Sequence, residues 1–184
     1  MIISISGKIG SGKDTFADMI ITKDSRFVKR SFANKLKQIG SILTNTNLDD
    51  WFTQEGKNIN LPTWGMTIGQ FQQKLGTEAI RNGLHTNAWV LALFADYDST
   101  KDFWIVTDMR FENEAKAVKK ANGHLIRING DPAKVRENST RDLSHPSETS
   151  LDQYNGFDEI IDNIETLQHL EARAEMTLYE IFRT

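Results

Sequence analysis

Residues Met1 to Ala17, MIISISGKIGSGKDTFA, constrain this chain more than any other stretch. A β-branched apolar run (Ile2, Ile3, Ile5) stops at Gly7 and a glycine-rich turn follows. From Lys13 onward apolar residues recur at helical spacing: Phe16, Ala17, Met19, Ile20. Strand, glycine loop with a lysine, then helix is the context a phosphate-binding loop requires. Gly7, Gly10 and Gly12 let the backbone turn tightly and bring N–H groups against an anion, with Ser11 between the last two. The following helix adds unpaired N–H donors and the positive end of its dipole. Lys13 then reaches the β- and γ-phosphates of a nucleotide. The common loop has Ser or Thr directly after the lysine, its hydroxyl on magnesium; here Asp14 stands there and Thr15 follows. Thr15 is a candidate phosphate contact. Asp14 beside phosphates is repulsive unless a metal, its water or a cation intervenes; otherwise it is a first-turn carboxylate favouring the dipole.

A length of 184 residues fits one domain with a sizeable core, and a formal charge of -3 argues against a general nucleic-acid binder. The absence of cysteine excludes disulfides and thiolate zinc sites and suits a reducing cytoplasm. No apolar stretch is long enough for a signal peptide or a membrane span.

Further along, the spacing predicts a helix to about Thr22, a strand in FVKRSF (27–32), and a helix from Ala33 to Thr44 with Leu36, Ile39, Gly40 and Leu43 on one face. The polar stretch Asn45–Met66 reads as a long loop. Thr67 caps a helix carrying Ile68, Phe71, Leu75 and Ile80, and another helix covers Thr86–Tyr97. Phe103–Asp108 is a buried parallel strand ending in a carboxylate. A helix from Glu112 stops at Gly123, His124–Asn129 is the next strand, and a charged segment runs from Asp131 to Ser150. Asp158–Asp162 is the last strand, and Thr166–Phe182 closes the chain as a helix with Leu167, Leu170, Ala174, Leu178 and Ile181 inward. Strands alternating with helices give an α/β fold: a three-layer, largely parallel sheet with ligands at the carboxyl ends of its strands.

At those ends Asp108 is a candidate for holding nucleotide magnesium through water, or for the substrate. Arg110 suits bidentate contact with a phosphate. Arg136 and Arg141, in the charged segment, are placed to close over a moving phosphoryl group. Arg81, Lys35 and Lys37 are candidates for an acceptor pocket; Gln73 and Glu78 could orient Arg81 or contact a base, and Trp89 could stack on one. The histidines show no metal-ligand spacing.

With these residues in hand, the chain resembles the deoxynucleoside monophosphate kinases of tailed bacteriophages and, more distantly, animal phosphomevalonate kinase. GKIGSGKDT (7–15), FANKLK (32–37), QKLGTEAIR (73–81) with Trp89-Val90, IVTDMR (105–110) with Glu114, SHPSETSLD (144–152) and FDEIIDN (157–163) carry the resemblance in order. It implies one P-loop kinase domain: a core (1–33, 101–130, 151–184), a helical acceptor-binding insert (34–100) and a lid (131–150). The implied reaction is ATP + dNMP → ADP + dNDP with Mg²⁺. Gly10 to Thr15 would bind ATP, Lys13, Arg136, Arg141 and Asp14 would serve the transfer, and Asn163 would contact adenine. Arg110, Asp108 and Arg81 would engage the acceptor, and Asp14 and Asp108 the metal. The implied setting is the cytoplasm, that of the host for a phage-encoded chain, with homodimerisation left open. A regulatory GTPase lacks support, because Asn34-Lys35-Leu36-Lys37 fails the guanine-reading pattern at its last position. A phosphomevalonate kinase and a non-catalytic nucleotide-binding module stay as alternatives.

Overall fold

The computed structural model describes residues 1–134 and 142–183. The chain opens with β1 (Ile2–Ser6), every residue of it buried, and α1 (Lys13–Lys23). The short β2 (Val28–Arg30) leads into α2 (Asn34–Thr44). A 3₁₀ turn (Leu48–Trp51), α3 (Gln54–Lys57) and a small hairpin of β3 (Asn60–Leu61) and β4 (Met66–Thr67) follow. Next come α4 (Ile68–Gln73), a π-helix (Lys74–Asn82) continuing it, and α5 (Ala88–Phe94). The remainder is β5 (Trp104–Val106), α6 (Glu112–Lys120), β6 (His124–Asn129), α7 (Pro146–Thr149), β7 (Glu159–Asp162) and α8 (Leu167–Arg183).

Five of these strands form one parallel sheet in the order β2-β5-β1-β6-β7. Alternation along the central strands splits the core in two. Ile2, Trp104, Val106 and Leu125 face a cluster with Phe32 and Leu36, Trp89 and Leu93 of α5, and Ala115 and Val118 of α6. Ile3, Ile5, Ile105, Ile126 and Ile128 face Phe16, Ala17 and Ile20 of α1 and Leu170 and Ala174 of α8. Both faces of the sheet are therefore covered, which is why its strands read as continuous apolar runs. Because β1 sits between β5 and β6, the chain leaves it toward both sides, and a crevice opens at the carboxyl ends where the order reverses.

Several expectations change. The stretch Asn45–Met66 is not a loop but a folded cap. Trp51, fully buried, joins Leu61, Ile68 and Phe71 in a third small core. Its indole Nε1 donates to Thr46 Oγ1 at 2.9 Å. The ring lies against Gly40, where a Cβ would stand 2.2 Å from it. On α2 only Leu36 and Gly40 are buried, and Ile39 and Leu43 are exposed, because the narrow face left by the cap accepts a single row. Leu167 is likewise exposed, at the first turn of α8 before the helix reaches the sheet. Helix α6 ends with Asn122, not Gly123, in the left-handed conformation (φ 55°). Thr67 does cap α4, accepting from Gln70 N while Gln70 Oε1 accepts from Thr67 N.

Candidate active site

Gly10 and Gly12 hold φ of 80° and 86°, the left-handed turns that curl a phosphate loop. Ser11 N donates to Lys8 O at 3.2 Å, and Phe16 N to Gly12 O at 2.9 Å as α1 begins. The loop is braced from behind: Asn163, just past β7 and buried, donates from Nδ2 to Ser11 O at 3.0 Å. A Cβ on Gly12 would come within 2.4 Å of that same amide. Asn163 thus supports the loop from behind. Thr15 is exposed on α1.

Lys13 heads α1 with its side chain largely covered, its Nζ 4.0 Å from Asp14 Oδ2. Asp14 Oδ1 accepts from Thr107 Oγ1 at 2.6 Å, tying α1 to the end of β5. Burial alone would raise the Asp14 carboxyl, but Lys13, the Thr107 hydroxyl, Lys29 and Lys57 together hold it below the usual carboxylate range. It is a carboxylate at neutral pH. Its side chain remains exposed enough to meet a ligand, and oxygen of this kind suits Mg²⁺. No cluster of three or more metal-binding side chains forms among the described residues.

Asp108 has a different occupation. Its Oδ1 accepts from Phe32 N (3.0 Å), and its Oδ2 from Ser31 Oγ (2.6 Å) and Ala33 N (2.9 Å). Both oxygens thus help pin the start of α2, and the carboxylate also borders the cleft described next. Two residues on, Arg110 donates from Nη1 to Glu148 Oε2 at 2.7 Å.

Beside Asp108 and Arg110 lies a cleft walled by Phe32, Leu36, Trp89 and Phe111, with Gln72, Gln73 and Thr77 on its polar side. Lys37, Lys57, Arg81 and Arg110 also reach it, so an apolar slot is rimmed by cations. Gln73 Nε2 donates to Asp142 O at 3.1 Å, and Trp89 Nε1 to Gly76 O at 2.9 Å. Arg81 stacks 3.7 Å over Phe111, donates from Nη1 to Asn113 Oδ1 (2.8 Å) and Thr86 O (3.1 Å), and from Nη2 to Glu114 Oε1. Glu114 Oε2 accepts from Arg110 N (2.7 Å) and Phe111 N (3.1 Å). Burial pushes its carboxyl up to about 7, against the pull of Arg81 and the two N–H groups.

Gln73, Arg81, Trp89, Asp108 and Arg110 therefore meet at one cleft as expected. Lys35 and Glu78 do not. Lys35 points to the far side of α2 and lines a different depression near Asp102, and Glu78 lies on the outer face of the π-helix, 3.4 Å from His145 Nε2. The i→i+5 winding there rotates Glu78 away from the face bearing Thr77 and Arg81. Arg136 and Arg141 lie outside the described residues. Sequence reasoning gave no separate role to Thr107 or Glu148, although each stands inside a motif that carries the resemblance, IVTDMR (105–110) and SHPSETSLD (144–152).

A parallel sheet whose central strand feeds a glycine loop and Lys13, facing a cation-rimmed cleft at the same edge, defines a P-loop kinase. In agreement, the fold matches shikimate kinase from Aquifex aeolicus with a TM-score of 0.54 at 15% identity, covering 97% of this chain and 96% of that one. The family model for deoxynucleotide monophosphate kinase matches residues 46–174. The chain belongs to that family and is a phosphotransferase acting on deoxynucleoside monophosphates. Relatives include a protein of Acanthamoeba polyphaga mimivirus assigned as a deoxynucleotide monophosphate kinase, 29% identical over 94% of this chain and 93% of its own length. The deoxynucleoside-5′-monophosphate kinase of Escherichia phage T5 is 22% identical, again over 93% of each chain. No helix among the described residues is long and apolar enough to cross a membrane.

Proposed function

We propose that ATP binds at the loop Gly7–Thr15 and the deoxynucleoside monophosphate in the cleft between α2, the π-helix and Arg110. A phosphate oxygen of the acceptor attacks the γ-phosphorus, the bond to the β,γ-bridging oxygen breaks, and ADP and the deoxynucleoside diphosphate leave. Little covalent chemistry falls to the protein, whose work is positioning and charge stabilisation. Backbone N–H groups of the loop and Lys13 hold the β- and γ-phosphates. Arg110 holds the acceptor phosphate, Arg81 shapes the cleft wall, and Trp89 and Phe32 give the base an apolar face. Arg136 and Arg141 are read as cations for the moving phosphoryl group. Mg²⁺ bound to nucleotide oxygens would supply further charge neutralisation, and Asp14 is the side chain that would hold it, through water. Thr107 fixes the Asp14 carboxylate and the neighbouring Lys13 keeps it ionised.

The observation that carries this reading is the meeting of a braced glycine loop and a cation-rimmed apolar cleft at one sheet edge. A coupled ADP-release assay with ATP and each of the four dNMPs tests it. Turnover with at least one is expected, and Lys13→Ala should lower kcat by about a hundredfold or more while leaving Tm close to the parent value. ADP release with none of the four would overturn the assignment of the cleft.

A further inference from the structure

Two acidic residues, one helical turn apart on a single short segment, each grip a cation of a different substrate site. Glu148 Oε2 accepts from Arg110 Nη1 at 2.7 Å. The Glu148 side chain is 1% exposed and that of Arg110 18%, so the carboxylate sits behind the guanidinium rather than in the cleft. A competitor for the acceptor phosphate would line the cleft; Glu148 does not, and Arg110 does. Four residues on, Asp152 Oδ2 lies 2.8 Å from Nζ of Lys8, a residue of the glycine loop. Asp152 Oδ1 accepts from Arg127 Nη2 at 2.9 Å, and Arg127 Nη1 donates to Ser6 Oγ at 3.1 Å, where β1 ends and the loop begins.

The segment that carries them is cross-linked by hydrogen bonds and anchored in the core. His145 Nδ1 accepts from Ser147 N at 3.2 Å, Ser150 Oγ donates to Pro146 O at 2.6 Å, and Leu151 is buried in the core with Phe32 and Trp89. A braced turn anchored at one end to the acceptor's arginine and at the other to the donor loop fixes their separation. Phosphoryl transfer is sensitive to such a separation, because small misplacement of the reacting groups is costly.

We propose that residues 146–152 form a spacer that registers the acceptor against the nucleotide, with Glu148 and Asp152 as positioning residues acting through Arg110 and Lys8. This rests on the assignment of the two sites above. If these ion pairs only stapled the segment down, losing either carboxylate would lower stability and leave the substrate dependences alike.

The test is steady-state kinetics on wild type, Glu148→Gln and Asp152→Asn, each with both substrates varied and Tm recorded. Glu148→Gln should raise KM for the dNMP about five- to tenfold, as expected for loss of one charge-assisted hydrogen bond behind Arg110, with KM for ATP within about twofold. Asp152→Asn should do the reverse, raising KM for ATP and sparing that for the dNMP. Variants that move both KM values together, or that shift Tm alone, overturn the spacer. Should Glu148→Gln fail to fold, Asp152→Asn decides by the same split, since Asp152 is partly exposed and its amide still accepts from Arg127. Calorimetric titration of wild type with a dNMP separates the two layers. Wild type that neither binds nor phosphorylates any dNMP fails the functional reading, whereas wild type that turns over beside variants lacking the split fails only the spacer.

Discussion

At single positions, two kinds of constraint stand out: a backbone shape only glycine adopts freely, and charges buried in pairs. Gly12, with φ of 86° and the Asn163 amide 2.4 Å from where a Cβ would lie, is held by both conformation and contact. Gly12→Ala should cost about 1–3 kcal/mol in urea unfolding and abolish the stabilisation by nucleotide, because the loop must give way. Arg81 and Glu114 are each about 95% or more buried and answer one another. Removing Arg81 leaves the buried Glu114 carboxyl without its counter-charge, so at pH 8, where the unfolded chain holds it ionised, Arg81→Met should destabilise by about 3–5 kcal/mol. The pH dependence of that loss has a definite sign. Glu114 already titrates at about 7 in the fold against 4.5 unfolded. Losing Arg81 raises it further. A group raised on folding supports the folded state below its unfolded value and loses that support as pH rises through the folded one. The deficit of Arg81→Met should therefore be larger at pH 8 than at pH 5, and unfolding curves at the two values check it. An equal deficit at both would mean Glu114 is not the group left exposed.

Among the elements, the regular pieces announce themselves and the irregular ones do not. The strands Ile2–Ser6, Trp104–Val106 and His124–Asn129 were legible because burial on both faces forces unbroken apolar runs. The glycine loop and the Thr67 cap were legible because their chemistry is local. The cap over residues 45–66 was not, since elements of two to four residues carry no periodicity. Its anchor, Trp51, gains meaning only when Gly40 is seen to make room for it. The same limit applies to Glu78: a change from α to π winding rotates a side chain by a fraction of a turn that no letter records. Gly40 supplies an element-scale prediction with an unusual sign. In an ordinary helix interior Gly→Ala stabilises by about 0.5–1 kcal/mol. Here the new methyl would meet the fully buried Trp51 ring at 2.2 Å. Gly40→Ala should instead destabilise by about 1–3 kcal/mol, with a change in tryptophan fluorescence as the ring is displaced. A more stable variant would show that the cap does not pack on α2 in this way.

Across the whole molecule, the glycine loop after β1, Thr107 and Asp108 after β5 and Asn163 after β7 rise from one edge of one sheet, and the insert faces that edge. The sheet order separates two binding places without separating their chemistry. Donor contacts come from the loop and α1, and acceptor contacts from the insert and the residues after β5. Two sites on one cooperative domain have a thermodynamic consequence, because any ligand that binds only the folded chain raises its unfolding free energy. At about a hundred times its Kd, each substrate contributes about 2.7 kcal/mol. For a domain of this size that is about 5–11 °C in Tm. A non-hydrolysable ATP analogue and a dNMP should each raise Tm by that order, and the two together by about the sum. Lys13→Ala should erase the nucleotide's increment and keep that of the dNMP, because Lys13 belongs to the loop and not to the cleft. Thermal unfolding of both proteins under the four ligand conditions reads this directly. If Lys13→Ala erased both increments, the acceptor would be bound through the nucleotide rather than beside it, and the division of the edge into two sites would be wrong.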